Sequence, residues 1–182
     1  MNKFELPPRV KLVCGILYHD EVWLVPCLRD LVERFGEIDF RSATLPFEYT
    51  DYYFEEMGKP LVRVFVSFLR LFDSEALLDA KLFTGELEGK YGGSSGGRRV
   101  INLDPGYLNG SAFVLATSKN YAHRIHLGKG VFAQQELLFE RKRTRTLDWT
   151  YPDYRSFEYQ DVLRRIRQIY LRQLRGPSEN AP

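Results

Sequence analysis

The stretch Leu61-Val-Arg-Val-Phe-Val-Ser-Phe-Leu-Arg-Leu71 is the clearest strand in the chain, alternating between two faces and rich in β-branched and aromatic residues. Leu61, Arg63, Phe65, Ser67 and Leu69 share one face, and Val62, Val64, Val66, Phe68 and Arg70 share the other. Arg63 is out of keeping with so apolar a surface. A guanidinium there needs a carboxylate, a phosphate or a sheet edge to offset its desolvation.

Upstream of this strand, Met57-Gly-Lys-Pro60 reads as a turn and Phe47 to Phe54 as an aromatic stretch. Ile38 to Phe47 is a second strand, interrupted by Pro46. Before it, Asp20 is placed to cap a helix whose apolar positions Trp23, Leu24, Cys27, Leu28, Leu31 and Phe35 recur at three and four and end at Gly36. Pro26 conflicts with that helix and predicts a kink or a start near Val25. Arg9 to Tyr18, apolar on both faces, suits a central strand.

Downstream, Asp73 or Ser74 is expected to cap a helix with Leu77, Leu78, Lys81, Leu82, Gly85 and Glu88 on one face and Tyr91 at its end. Lys81 on that face is read as snorkelling or as a ligand-binding cation. Gly92-Gly-Ser-Ser-Gly-Gly97 follows as a flexible connection, then a strand from Arg98 to Leu103 stopped by a turn at Asp104-Pro105-Gly106. The order strand, helix, strand, strand, helix, strand is that of an α+β, ferredoxin-like βαββαβ core. Three additions extend it: a short helix from Ser111 to Ser118, a β-hairpin of Tyr121–Leu127 and Val131–Phe139 about Gly128-Lys129-Gly130, and a long helix from Ser156 to Arg175. The expectation is one α+β domain over residues 8–175 and a disordered tail over 176–182.

Composition sets limits on function. The 182 residues are 44% hydrophobic and 27% charged, as in an ordinary globular domain, and no apolar run approaches the length of a membrane span. The first residues, Met1-Asn-Lys-Phe-Glu-Leu-Pro-Pro8, lack the uninterrupted apolar stretch of a secretory signal, so a cytoplasmic location without membrane attachment is expected. Two cysteines, Cys14 and Cys27, cannot build a disulfide framework or a Cys-based zinc site. The net charge of +2 hides a basic end: residues 141–175 hold ten Lys/Arg against four Asp/Glu.

Several patterns bear on chemistry. The glycine-rich segment follows a helix and leads into a strand, the reverse of a phosphate loop. Asn102 and Asp104 alternate onto one side of a strand end, where open sheets place ligand groups. His123-Arg124-Ile125-His126 is read as strand, with both histidines on one face and Arg124 on the other. A metal with Asp104 or Glu86 as a distant third ligand is conceivable there, and so is acid/base work by His123. Thr50-Asp51-Tyr52-Tyr53 and Trp149-Thr-Tyr-Pro-Asp-Tyr154 supply aromatic rings with polar tips.

Thr50-Asp-Tyr-Tyr53, Met57-Gly-Lys-Pro-Leu61, Arg63, Ser67-Phe68, Lys81-Leu-Phe-Thr84, Asn102-Leu-Asp-Pro-Gly-Tyr107, Leu115-Ala-Thr117, His123-Arg-Ile125, Gly128-Lys-Gly130 and Thr150-Tyr-Pro-Asp-Tyr-Arg155 closely resemble a bacterial family known only as a domain of unknown function. The resemblance covers residues 8–172. Some of its members carry the label GTP-binding protein, which finds no P-loop or Asn-Lys-x-Asp motif here, and Pro26 departs from that family's first helix.

The mixed polar set favours a site for an anionic small molecule, a nucleotide or phosphorylated metabolite. Asp104 and His123 are the catalytic candidates; Asp51, Tyr52, Arg63, Lys81, Asn102 and Arg124 are the ligand-binding ones. No motif names a cofactor or a metal. The alternatives are an RNA-binding module, for which the basic end is the argument, and a protein-interaction module without catalysis.

Overall fold

In the computed structural model, which describes residues 5–141 and 143–175, the apolar runs form one nine-stranded sheet. β1 (Val10–Tyr18) is buried at every position. A 3-10 turn at Glu21–Trp23, where Asp20 Oδ1 accepts from the Val22 N–H at 3.0 Å, leads into α1 (Leu24–Phe35). Pro26 therefore lies in the first turn of α1, where its missing N–H has no intrahelical partner to lose. β2 (Ile38–Arg41) and β3 (Leu45–Phe47) divide the single strand expected over Ile38–Phe47, and both pair with β4 (Leu61–Phe72), with α2 (Phe54–Met57) between β3 and β4.

α3 (Ala76–Ser94) runs through Gly92 and Gly93, so the first glycines of the expected linker are helical. Neither Asp73 nor Ser74 caps it with a side chain; the Asp73 and Ser74 carbonyls accept from Ala76 and Leu77 instead. Its buried face is Leu77, Ala80, Thr84, Leu87 and Tyr91, turned from the expected stripe. β5 (Ile101–Leu108) passes straight through Asp104-Pro105-Gly106, so no turn exists there. β6 (Ala112–Thr117) replaces the short helix expected over Ser111–Ser118. Asn109 Oδ1 accepts from the Ser111 and Ala112 N–H groups, both at 2.8 Å, and closes a tight hairpin that hands Phe113–Leu115 to β5.

β7 (Ile125–Gly128) and β8 (Val131–Phe139) form the hairpin about Lys129, β9 (Thr144–Thr146) adds to β8, and a 3-10 turn at Asp153–Arg155 precedes α4 (Phe157–Arg175). The sheet order is β2-β4-β1-β5-β6-β8-β7, with β3 on β4 and β9 on β8, and every pairing is antiparallel. Residues 176–182, expected as a disordered tail, lie outside the described residues.

Alternation decides which helices cover which face. Leu12, Cys14, Ile16 and Tyr18 of β1, with Val64, Val66 and Phe68 of β4, pack against Leu24, Cys27, Leu31 and Phe35 of α1 and Ala80, Leu87 and Tyr91 of α3. Val13, Phe65, Leu108, Phe113 and Leu137 point the other way, against Tyr159, Val162, Leu163, Ile166 and Tyr170 of α4. Lys11 is fully buried on that second face, with its three donors taken by Asp39 Oδ2 at 2.5 Å, the Phe68 carbonyl at 2.9 Å and Gln173 Oε1 at 2.8 Å. One ammonium thus joins β1, β2, β4 and α4. No helix among the described residues is long and apolar enough to cross a membrane.

At Gly106 a Cβ would lie 2.7 Å from both the Phe113 ring and the Val114 carbonyl oxygen. Gly106→Ala must therefore push β6 off β5, and it is expected to lower stability in urea denaturation by about 1–3 kcal/mol. A loss under about 0.5 kcal/mol would contradict the close strand contact.

Candidate functional site

The sheet opens at Pro105. β6 pairs with β5 only over Gly106–Leu108, so from Ile101 to Pro105 the strand has β1 on one side and no strand on the other. Pro105 brings no N–H with which to continue the ladder. Farther along, β6 stays with β8, and a cavity of about 480 Å3 lies between the separated strands. Asn102 and Asp104 line it from β5, and Leu115, Ala116 and Thr117 from β6. α3 serves the free edge: Lys81 Nζ donates to the Leu103 carbonyl at 3.0 Å, and Glu88 Oε1 accepts from the Leu103 N–H at 2.6 Å. These contacts explain a lysine on a half-buried helix face. Burial pushes the Glu88 carboxyl above the usual carboxylate range, with Lys81 opposing.

Arg63 enters the cavity from β4 and is only 2% exposed. Leu17 of β1 stands opposite Arg63, and Gly15 stands opposite Asp104, so a side chain at position 15 would lie between them. Gly15 leaves that space empty: a Cβ there would be 3.3 Å from Arg63 Nη1. The guanidinium reaches across to Asp104, Nη2 to Oδ2 at 3.0 Å, and its Nη1 lies 3.6 Å from Asp153 Oδ2. Asp104 Oδ2 also accepts from Asn102 Nδ2 at 2.9 Å. Phe47, Phe65 and Tyr159 surround the cation at 5.2–6.0 Å from its centre. Among the described residues, Arg63 Nε and Nη1 and the hydroxyl of the neighbouring Tyr154 have no hydrogen-bond partner. Burial pushes the Asp153 carboxyl up, while Arg63 pulls it back.

Two aromatic walls close the space. Phe47 at the end of β3 and Tyr49, Thr50, Tyr52 and Tyr53 between β3 and α2 form one, anchored through Phe47 and Met57 against Leu17 and Leu61. Tyr151, Pro152, Asp153 and Tyr154 form the other wall, with Ser118 and Lys119 after β6 at its mouth. A buried network on β8 holds that second wall. Glu136 accepts from the Tyr151 N–H at 2.5 Å and from Gln134, whose Oε1 takes donors from Arg124 Nε at 2.6 Å and bonds His123 Nε2 at 3.0 Å. Arg124 then donates to the Lys119 carbonyl at 2.6 Å and the Tyr151 hydroxyl at 2.7 Å. Desolvation raises Glu136 to about 7, against the bonds from Tyr151 and Gln134.

Of the residues expected in one site, Tyr52, Arg63, Lys81, Asn102 and Asp104 line the cavity, while Asp51, His123 and Arg124 do not. Asp51 is solvent-exposed, 3.9 Å from Lys59. His123 is stacked on Trp149 at 5.0 Å behind the wall, and His126 sits against Phe132 at 4.9 Å, so the two histidines do not converge. The chain is not yet strand at 123, and a spacing of three would divide them between faces in any case. Among the described residues no group of three His, Cys, Asp or Glu side chains is placed to hold a metal ion. Sequence reasoning missed Asp153, Glu88, Gln134 and Glu136. Gln134 and Glu136 share a strand face with each other, a buried polar pair that the apolar pattern around them could have flagged.

The family described as Domain of unknown function (DUF4416) matches residues 8–170, and the chain belongs to it. No curated protein and no solved structure matches the chain.

Removing Arg63 leaves two carboxylates facing each other in a buried site. Arg63→Ala is expected to cost about 3 kcal/mol or more in urea denaturation, with Arg63→Lys recovering part of it; a cost below about 1 kcal/mol would contradict the pairing. Glu136 gives a pH signature. Its carboxyl ionises near 7 folded and near 4.5 unfolded, so its contribution to stability is full below 4.5 and is lost as pH rises through 7. Raising the pH from 5 to 8 should cost the wild type about 2.5 kcal/mol more stability than it costs Glu136→Gln; an equal cost would contradict the burial.

Proposed function

We propose that this member of the DUF4416 family binds an anionic small molecule, of the size of a nucleotide or phosphorylated metabolite, in the cleft between β5 and β6. The observation that carries the cleft as a ligand site is Arg63: a buried guanidinium in the lining whose Nε and Nη1 have no hydrogen-bond acceptor among the described residues. Buried donors left unpaired are costly, and a bound acceptor removes that cost. The lining adds what a polar ligand needs, namely aromatic surface, both signs of charge and the hydroxyls of Thr50, Thr117 and Ser118.

In this reading Arg63, Asn102, Asp104 and Asp153 contact the ligand at the buried end. Tyr52 and Lys119 meet it at the mouth, and Lys81 shapes the strand edge. Asp104, exposed at 20% of its side chain, is the residue able to exchange a proton with a ligand in the cleft. His123 and Arg124 are positioning residues that act through Gln134, Tyr151 and the loop at Lys119.

The order β2-β4-β1-β5, with α1 and α3 on one face, supports reading residues 10–108 as a ferredoxin-like core. The continuous sheet supports a single domain over 8–175. Free, buried Cys14 and Cys27 suit a reducing cytoplasmic setting. RNA binding by stacking bases on the sheet finds less support, because α1, α3 and α4 cover the central strands.

Thermal unfolding against nucleotides, sugar phosphates and divalent cations tests the reading. A ligand at about 100 times its Kd adds about 2.7 kcal/mol, a rise of several degrees for a domain of this size. A flat panel at millimolar concentrations would contradict it.

A further inference from the structure

The cleft is polarised from its buried end to its mouth. At the buried end the charge of Arg63 is already matched by Asp104 at 3.0 Å, and Asp153 stands 3.6 Å away. With Asp153 ionised that end is net negative; with Asp153 protonated it is neutral. In neither state does it offer free positive charge, and an oxyanion placed there would meet carboxylates at low dielectric. Yet Arg63 Nε and Nη1 still lack acceptors, and Asp104 Oδ1 receives no protein donor among the described residues. What satisfies this end is a neutral group that donates to Asp104 and offers an acceptor to Arg63, whose Nε and Nη1 are closed to solvent and must turn outward to reach it.

The mouth is different. Arg99 is engaged by Glu56 at 3.5 Å, and Lys81 is offset by Glu88 across the Leu103 backbone. Lys119 is exposed, has no carboxylate partner among the described residues, and holds its Nζ 4.5 Å from the centre of the Tyr52 ring. It sits beside Thr117 and Ser118 in the lining.

Resting on the cleft being a ligand site, we infer that its ligand is a phosphate ester that enters head first. A neutral donor-and-acceptor head lies against Arg63, Asp104 and Asp153, and the phosphate stays at the mouth against Lys119. The aromatic walls of Tyr49, Tyr52, Tyr53, Tyr151 and Tyr154 suit a head with a ring face to lay against them. A nucleobase with a lactam edge and a sugar ring share this chemistry.

Calorimetric titration of the whole protein separates the cases. The probes are the common nucleosides with their 5′-monophosphates, ribose and glucose with ribose 5-phosphate and glucose 6-phosphate, and inorganic phosphate alone. The expected result is that one ester binds, that its uncharged head binds more weakly at the same site, and that inorganic phosphate neither binds nor competes. Whether that head is a nucleoside or a sugar identifies the source. Lys119→Ala, a surface change, should lower the ester's affinity by roughly tenfold, to that of its head. Competition by inorganic phosphate, with no binding of the uncharged head and no effect of Lys119→Ala, would overturn the orientation while leaving the ligand site standing. Binding by no probe would overturn the ligand site and the orientation with it.

Discussion

The ion pair of Arg63 with Asp104 is the constraint on which the rest of the site depends. The two residues lie on β4 and β5, strands that never touch, because β1 runs between them. A pair can form across an intervening strand only where that strand has no side chain, and Gly15 is the residue at that point. The guanidinium then has to be covered. Phe65 does this from β4 itself, and Phe47, Tyr154 and Tyr159 do it from three other parts of the chain, so β3, the Thr150–Tyr154 segment and α4 all converge on one buried cation. Burying a charge is unfavourable unless it is paired, and here the pairing dictates where the walls of the cleft stand.

The cleft itself comes from a sheet that cannot continue. Pro105 removes a donor, Gly106 draws β6 in at one point, and beyond it the two strands follow different partners. The exposed groups of Leu103 are satisfied by Lys81 and Glu88, which lets β5 keep an open edge inside the protein. The opening is thus lined with polar groups that are only partly satisfied among themselves.

Much of the architecture was legible in the sequence because alternation and three-to-four spacing report burial directly. The strands at Val10–Tyr18 and Leu61–Phe72 and the last helix fall where the periodicity puts them. Asp-Pro-Gly was read as a turn because those residues favour one locally, yet β1 pairs with the whole segment and holds it extended. Phe113 to Thr117 has no clear period of its own, and the hairpin at Asn109 made it a strand. The strangeness of Arg63 was visible as a charge on an apolar face, and with it the need for a carboxylate, a phosphate or a sheet edge. Which carboxylate was not, since Asp104 and Asp153 reach it only through the sheet order. His123 and Arg124 looked chemical by residue type, but their partners Gln134 and Glu136 turn them toward the back of a wall.

A double-mutant cycle on Arg63→Met and Asp104→Leu, followed by urea denaturation, tests the central claim most directly. If the pair organises this part of the fold, each single change is strongly destabilising and the double change recovers part of the loss, with a coupling of about 1–3 kcal/mol. Effects that add within about 0.5 kcal/mol would contradict it and leave the two residues as independent neighbours.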